Sequence, residues 1–305
     1  MINICAACDD NYAKYAGVLI ASILDSAATD DDLAFYILDG GIGSDKKQDI
    51  LSLKKIKDCS INFIKINNTD FSEYLNVKTH KYITIPTFYR LKLPSLLKNI
   101  QKVIYFDCDM VVTSSLSELY NTDLQGCIIA GVRDINKRML KKNPDYINAG
   151  MIIMDIDAMR KENIEQKFLD YTKKYFNKIK TGDQEIINEV LKGRIKIVND
   201  EWNVQSSNFI NRSSYTNNPK VIHYTAKLKP WHFGSFSPHK RYWFDFLQLT
   251  PWALNEEEKK YWYTKNNIVS ILKYIQYRPL FFLRPNYYIA VYYDYIKPLF
   301  NKNKK

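Results

Sequence analysis

The sequence predicts an α/β fold in which a mainly parallel sheet is covered by helices. Short β-branched or aromatic runs alternate with helical stretches over most of the chain, the pattern that feeds strands and crossover helices into one sheet. Hydrophobic residues make up 46% of the 305, enough for one large core or two modest ones, so disorder over most of the chain is excluded. Gly and Pro supply only 10 residues each, which excludes collagen-like and low-complexity classes.

Taken in order, the strand-like runs are residues 2–5, 34–38, 61–66, 102–106, 127–132 and 151–154. Residues 12–24 have the apolar spacing of a helix, and Ser44 reads as the N-cap of a second helix running to residue 56. A third helical stretch covers 158–163, with Asp157 as its expected cap. In such sheets ligands bind beyond the carboxyl ends of the strands. The sequence holds no G-x-G-x-x-G or Walker-type loop, which argues against an ordinary dinucleotide or P-loop site.

Charge and cysteine usage narrow the class further. The net charge is +11, yet residues 265–305 hold eight Lys and Arg against the single acid Asp294. The same stretch is dense in Tyr and Phe and broken by Pro279, Pro285 and Pro298, so a boundary is expected between a catalytic domain, 1–264, and a basic aromatic segment, 265–305. The five cysteines are odd in number and four sit in or beside apolar runs, which points to free thiols in a reducing, cytoplasmic compartment. Cys5 and Cys8 have redox or metal-ligand spacing, but no second pair accompanies them, and a structural role is expected. No secretion signal and no window of about 18 uncharged apolar residues is found, so no membrane span is expected.

The chemistry concentrates at the end of one strand. Asp107 and Asp109 follow the run Val103-Ile104-Tyr105-Phe106, and period-two alternation turns both carboxylates the same way. Two like charges so close need a cation or a proton between them. The spacing alone selects nothing, because Asp30/Asp32 and Asp155/Asp157 share it. Asp30 to Asp32 reads as a solvated loop; only Asp107/Asp109 follow a continuous buried strand at the ligand-bearing edge. On residues alone, metal binding and a paired structural role both remain open.

Six short blocks then fall into a known order: Ala7-Cys8-Asp9-Asp10-Asn11-Tyr12, Thr87-Phe88-Tyr89-Arg90-Leu91, Tyr105 to Asp109, Asn148-Ala149-Gly150, Asp183-Gln184, and His223-Tyr224 with Lys229-Pro230-Trp231-His232. Together they resemble glycosyltransferase family 8, in particular bacterial lipooligosaccharide galactosyltransferases, with glycogenins more distant. The resemblance implies a GT-A fold, a Rossmann-like mixed sheet flanked by helices. The implied reaction transfers a hexose, galactose or glucose, from a UDP-sugar to an acceptor hydroxyl with retention of configuration.

Carried over residue by residue, the resemblance makes Asp107, Asp109 and His223 the ligands of Mn2+, with Mg2+ as the alternative, and sets Cys108 within the donor site. Two carboxylates and an imidazole suit Mn2+ better than Mg2+. By itself His223, after Val221-Ile222, reads more readily as a core histidine, and it is the order of the blocks that reverses this. Ala7, Asp9 and Asn11 match the loop that holds uracil and ribose, Tyr12 matches a residue stacking on the base, and Asp9 to Asn11 otherwise read as a turn and helix cap. Arg90 and Lys229 match cations on the donor, the second suited to a diphosphate as a compact point charge. Ala226 stands where relatives often carry Gly, which puts a backbone contact to phosphate in question.

Asn148, Ala149, Asp183 and Gln184 match residues around the donor sugar. Asp183 is expected to bond sugar hydroxyls and Gln184 to lie near the anomeric carbon, with Asp134 a candidate for the acceptor side. Gln184 offers an amide, so a two-carboxylate double displacement is poorly supported, and same-face attack by the acceptor is favoured. The competing classes are a metal-dependent nucleotide-sugar hydrolase or nucleotidyltransferase, and a basic nucleic-acid-binding protein. No nucleic-acid partner is expected, because the basic excess is confined to the tail and no recognition motif accompanies it. The tail is expected instead either to lie on an anionic membrane surface, setting the enzyme beside a glycan or lipid-linked saccharide acceptor on the inner face of the cytoplasmic membrane, or to pack on the catalytic domain as a helical cover.

Overall fold

The computed structural model describes residues 1–74, 85–206, 218–225, 229–235, 237 and 239–277. Its centre is a seven-stranded sheet of order β3-β2-β1-β4-β7-β6-β8. The strands are β1 (Ile2–Cys8), β2 (Leu33–Asp39), β3 (Ser60–Lys65), β4 (Lys102–Phe106), β6 (Ile129–Arg133), β7 (Ile147–Asp155) and β8 (Ile195–Ile197). A three-stranded sheet joins β5 (Met110–Val112), β10 (Val221–His223) and β9 (Val204–Gln205) in that order. The six expected strand runs lie on β1, β2, β3, β4, β6 and β7. The other four strands have two or three residues each, too few for a periodicity to register.

Within the seven-stranded sheet β7 runs antiparallel to both β4 and β6, while the remaining neighbours pair in parallel. Its first eight residues are all buried, as expected of a central strand covered on both faces. Alternation along the sheet sorts side chains into two cores. Ile4, Ala6, Phe35, Ile37, Ile104 and Phe106 pack with the helix Ala13–Ser26 on one face. Cys5, Leu38, Val103, Tyr105, Ile152 and Met154 pack with the helices Ile164–Tyr175 and Asp183–Val190 on the other. The same alternation separates Cys5 from Cys8 into different cores, and all five thiols are free. The small sheet packs on the outer side of helix Ala13–Ser26 through Val111, Ile222 and Tyr224 against Val18, Trp243 and Phe244.

Two expected caps shift. Ser44 lies inside the helix Ser44–Leu51, whose cap is Gly43, and its hydroxyl bonds its own neighbour Asp45; a 3-10 turn, Ser52–Lys55, continues the helix. Asp155, not Asp157, caps the helix Ile156–Lys161 by accepting from Ala158 N at 2.8 Å, because β7 passes straight into that helix with no linker. Asp157 sits within the first turn of that helix and pairs with Arg160. In the loop before β2, Asp30 and Asp32 are exposed, whereas Asp31 is buried and accepts from Ser115 and Ser117.

The helical run from Glu256 continues through a π turn, Trp262–Asn266, into the helix Asn267–Tyr277, crossing position 264 unbroken. Its buried face is tied down by Asn266, which accepts from Gly234 N, and by Ser270, whose hydroxyl accepts from Lys240 Nζ at 3.1 Å. Its outer face leaves Ile268 and Leu272 58% and 59% exposed. The rest of the expected segment, 278–305, lies outside the described residues. Among the described residues no helix is long and apolar enough to cross a membrane.

Candidate active site

A cavity of 690 Å³ opens at the carboxyl ends of β1 and β4, the edge where an α/β sheet is expected to bind ligands. β1 delivers Ala7 and Cys8, and then Asp9, whose carboxylate accepts from Tyr12 N at 3.0 Å and starts the turn that sets Tyr12 on the rim. β4 delivers Asp107, Cys108 and Asp109. Because β7 is reversed, its first residues lie beside the end of β4: Phe106 is in register with Met151, and Asp107 N donates to Gly150 O at 2.8 Å. That reversal brings Asn148 and Ala149 into the wall.

The small sheet supplies the histidine. β5 begins directly after Asp109 and pairs with β10, setting His223 opposite Met110, while Tyr224 N donates to Asp109 O at 2.9 Å. One ligand atom from each of Asp107, Asp109 and His223 therefore lies within 4.8 Å of the others. Gly150 makes the ring's seat, since a Cβ there would stand 2.2 Å from His223 Cε1. Asp183 and Gln184 open the helix Asp183–Val190, which starts on Gly182 at φ +65°, a conformation that favours glycine.

The charges are arranged around Arg90, which is 2% exposed instead of lying on the surface. Its guanidinium covers the Tyr105 ring at 4.2 Å, donates to Thr87 O at 3.0 Å and to Ala149 O, and meets Asp107 at 2.5 Å and Asp183 at 3.0 Å. Burial raises the Asp107 carboxyl above its ordinary range, with Arg90 opposing and the Asp109 charge assisting. Burial also pushes Asp183 up to about 6 against the pull of Arg90. At Asp109 burial works the other way from the outcome: the neighbouring Lys229 and His223 outweigh it and hold the carboxyl well below the usual range. Lys229 donates to Asp109 Oδ2 and, at 2.6 Å, to Tyr224 O.

This donor set fits a divalent cation. Asp109 Oδ1 is buried without a hydrogen-bond donor and stands 3.3 Å from His223 Nε2, so two electron-rich atoms converge where a cation or a proton has to sit. Behind them runs a chain of amides. Gln184 Oε1 accepts from Ala149 N at 3.1 Å and Asn148 Nδ2 at 3.2 Å, while Gln184 Nε2 donates to Asp134 Oδ2 at 3.0 Å.

Of the expected donor residues, Ala7, Asp9, Tyr12, Arg90 and Lys229 line this cavity, as do Asp107, Cys108, Asp109 and His223. Asn148, Ala149, Asp183 and Gln184 line its inner end. Asp134 stands behind that wall, 9% exposed and bonded to Gln184 and Asn148. Asn11 is exposed on the turn and does not line the cavity, and Ala226 lies outside the described residues. Sequence reasoning missed Asn203, which is 2% exposed and contacts His223 at 3.1 Å. Its segment, Asp200-Glu201-Trp202-Asn203, carries no spacing that would single it out. It also gave Trp231 no role of its own; that ring lines the cavity and stacks on Tyr15 at 4.1 Å.

The model of the family described as Glycosyl transferase family 8 matches residues 3–234. The chain belongs to glycosyltransferase family 8. Among its relatives, a putative glycosyltransferase of Haemophilus influenzae is 34% identical over 245 residues, covering 76% of this chain and 73% of that protein. The lipopolysaccharide 1,3-galactosyltransferase of Salmonella typhimurium is 26% identical, covering 82% and 79%. Among solved structures, the galactosyltransferase LgtC in complex with donor and acceptor sugar analogues superposes with a TM-score of 0.73 at 26% identity, covering 85% of this chain and 99% of that one. The fold of this family 8 chain is accordingly the GT-A glycosyltransferase fold, and its function is that of a glycosyltransferase.

Proposed function

We propose that this family 8 enzyme transfers a hexose, galactose or glucose, from a UDP-sugar to a hydroxyl of a glycan or glycolipid acceptor, with retention and with Mn2+ at Asp107, Asp109 and His223. The observation that carries the reading is the convergence of those three side chains, from two different sheets, in the cleft that also holds Asp183 and Gln184. A divalent cation held there offsets the charge a diphosphate develops as the glycosidic bond breaks.

The chain's own residues divide the remaining work. Lys229, engaged with Asp109 and a backbone carbonyl, would add a second positive charge beside a diphosphate drawn to a cation that Asp107, Asp109 and His223 would hold. Arg90, held from several sides, keeps Asp107 and Asp183 in fixed positions and frees neither to drift. Asp183 offers a carboxylate to sugar hydroxyls, the contact by which one hexose is preferred over another. Gln184 Oε1 already accepts two hydrogen bonds, which supports a role in orientation and electrostatics and weighs against nucleophilic attack. Attack then comes from the acceptor on the face the phosphate leaves, with the departing phosphate oxygen taking the acceptor's proton. A screen of UDP-sugars with Mn2+, without acceptor, tests the reading: UDP release from one favoured hexose supports it, and release of UMP assigns a phosphate-cleaving enzyme instead.

The basic aromatic segment is proposed to rest on an anionic membrane surface at the cytoplasmic face, beside a lipid-linked acceptor. Supporting this, the described part presents Ile268 and Leu272 outward, with Phe233 and Tyr261 exposed and stacked at 5.7 Å and Lys265 over the Tyr261 ring. Each further basic residue near such a surface contributes about 1 kcal/mol. Truncation after Tyr277 retains every residue of the described helix, so loss of sedimentation with anionic liposomes by a folded truncated chain supports the segment's role. Undiminished sedimentation refutes it.

A further inference from the structure

We infer that Asn203 is a positioning residue: it holds the His223 imidazole with its proton on Nδ1 and its Nε2 lone pair turned toward Asp107 and Asp109, and it ties that ring to the amides at the donor-sugar end of the cleft. The inference rests on the metal-site reading above for its consequence, though not for its geometry.

The direction of every hydrogen bond follows from groups that can only donate. Gly150 N donates to one end of the Asn148 side chain at 3.1 Å, so that end is the oxygen, Oδ1. Asn203 meets the same oxygen at 3.0 Å and must present its NH2. The other end of Asn203 is then its carbonyl oxygen, and it faces His223 Nδ1 at 3.1 Å. An acceptor at that position requires Nδ1 to carry a proton. The Nε2 lone pair is left for the site where Asp109 Oδ1 lies 3.3 Å away.

The opposite end of the chain is fixed in the same way. Ala149 N donates to Gln184 Oε1 at 3.1 Å, Asn148 Nδ2 donates to that oxygen at 3.2 Å, and Gln184 Nε2 donates onward to Asp134. Asn148, Asn203 and His223 are 8%, 2% and 5% exposed, so water does not compete for these bonds. A turned Asn203 would set two oxygens against each other at Asn148, and a flipped imidazole would take its lone pair away from the carboxylates. Outer partners of this kind fix the tautomer of a ligating histidine and tune its basicity. Here the same partner also touches the residue that orients Gln184, so the seat of the cation and the sugar end of the cleft share one rigid network.

The test has two readouts, neither of them turnover. Imidazole 15N shifts of the metal-free full-length protein, assigned among its four histidines with His223→Gln, should show a protonated Nδ1; a bare Nδ1 overturns the inference. Free Mn2+ followed by electron paramagnetic resonance should show Asn203→Leu binding the ion about 10- to 100-fold more weakly. Asn203→Asp still offers an acceptor to Nδ1–H but sets an oxygen against Asn148 Oδ1 in place of the lost NH2, and so should recover only part of that loss. Equal binding by the leucine variant, or equal loss in both folded variants, overturns it. If the leucine variant does not fold, the wild-type nitrogen shifts decide alone. Wild-type protein that binds no Mn2+ removes the metal-site reading instead, and leaves the tautomer result standing on its own.

Discussion

A methyl group at position 150 would meet His223 Cε1 at 2.2 Å and Nδ1 at 2.6 Å, closer than any real contact. Gly150→Ala should therefore push the ring off its seat and weaken Mn2+ binding at least tenfold, read by titration of the ion, while the sheet survives because β7 is packed along its whole length. Undiminished binding would show that His223 holds no cation. The carboxylates were legible in the sequence because an apolar strand followed by Asp-x-Asp turns both the same way, and the strand ends where ligands are expected. Asn203 was not legible. Its importance comes from a neighbour in β10, twenty residues away, and from Asn148 in β7, a juxtaposition that only tertiary packing creates.

Helix boundaries show how local signals compete. Asp155 and Asp157 both precede the same helical pattern, and only the position at which β7 ends decides between them. Asp155→Ala should cost about 1 kcal/mol in unfolding free energy, the usual loss for a cap, whereas Asp157→Ala breaks a half-exposed pair with Arg160 and should cost no more than about 0.5 kcal/mol. Denaturant titration of both variants checks the order, and the reverse order would return the cap to Asp157. The long apolar or alternating runs yielded their strands directly from sequence. The antiparallel course of β7 did not, since an apolar run has no direction; nor did β5 and β10, whose three residues each are organised by pairing with one another.

Over the whole molecule, one buried histidine links stability to pH. Burial lowers His239 to about 4, against an ordinary 6.5, so the unfolded chain binds the extra proton between those values. Stability should then fall as pH drops from 6.5 to 4, by about 3 kcal/mol from this group, and His239→Asn should lack that component. Asn tolerates the left-handed backbone found there, φ +60°. Parallel urea titrations at pH 7 and 4.5 compare the two; identical pH dependence would contradict the assignment. The fold class was readable from the alternation of elements, and the composition break near 265 was real as a sequence feature. It does not coincide with a structural break, because the amphipathic helix Asn267–Tyr277 uses Ser270 to dock and turns Ile268 and Leu272 outward.

The central claim, retaining transfer from a UDP-hexose at the Asp107/Asp109/His223 cleft, is met most directly by one NMR time course. UDP-galactose and UDP-glucose are each incubated with the full chain and Mn2+, and the anomeric proton of the first free hexose is observed before mutarotation. The account predicts the α-anomer together with UDP, from one donor in preference to the other, and no such signal from Asp109→Asn. A β-anomer, UMP in place of UDP, or unchanged turnover by Asp109→Asn would contradict it.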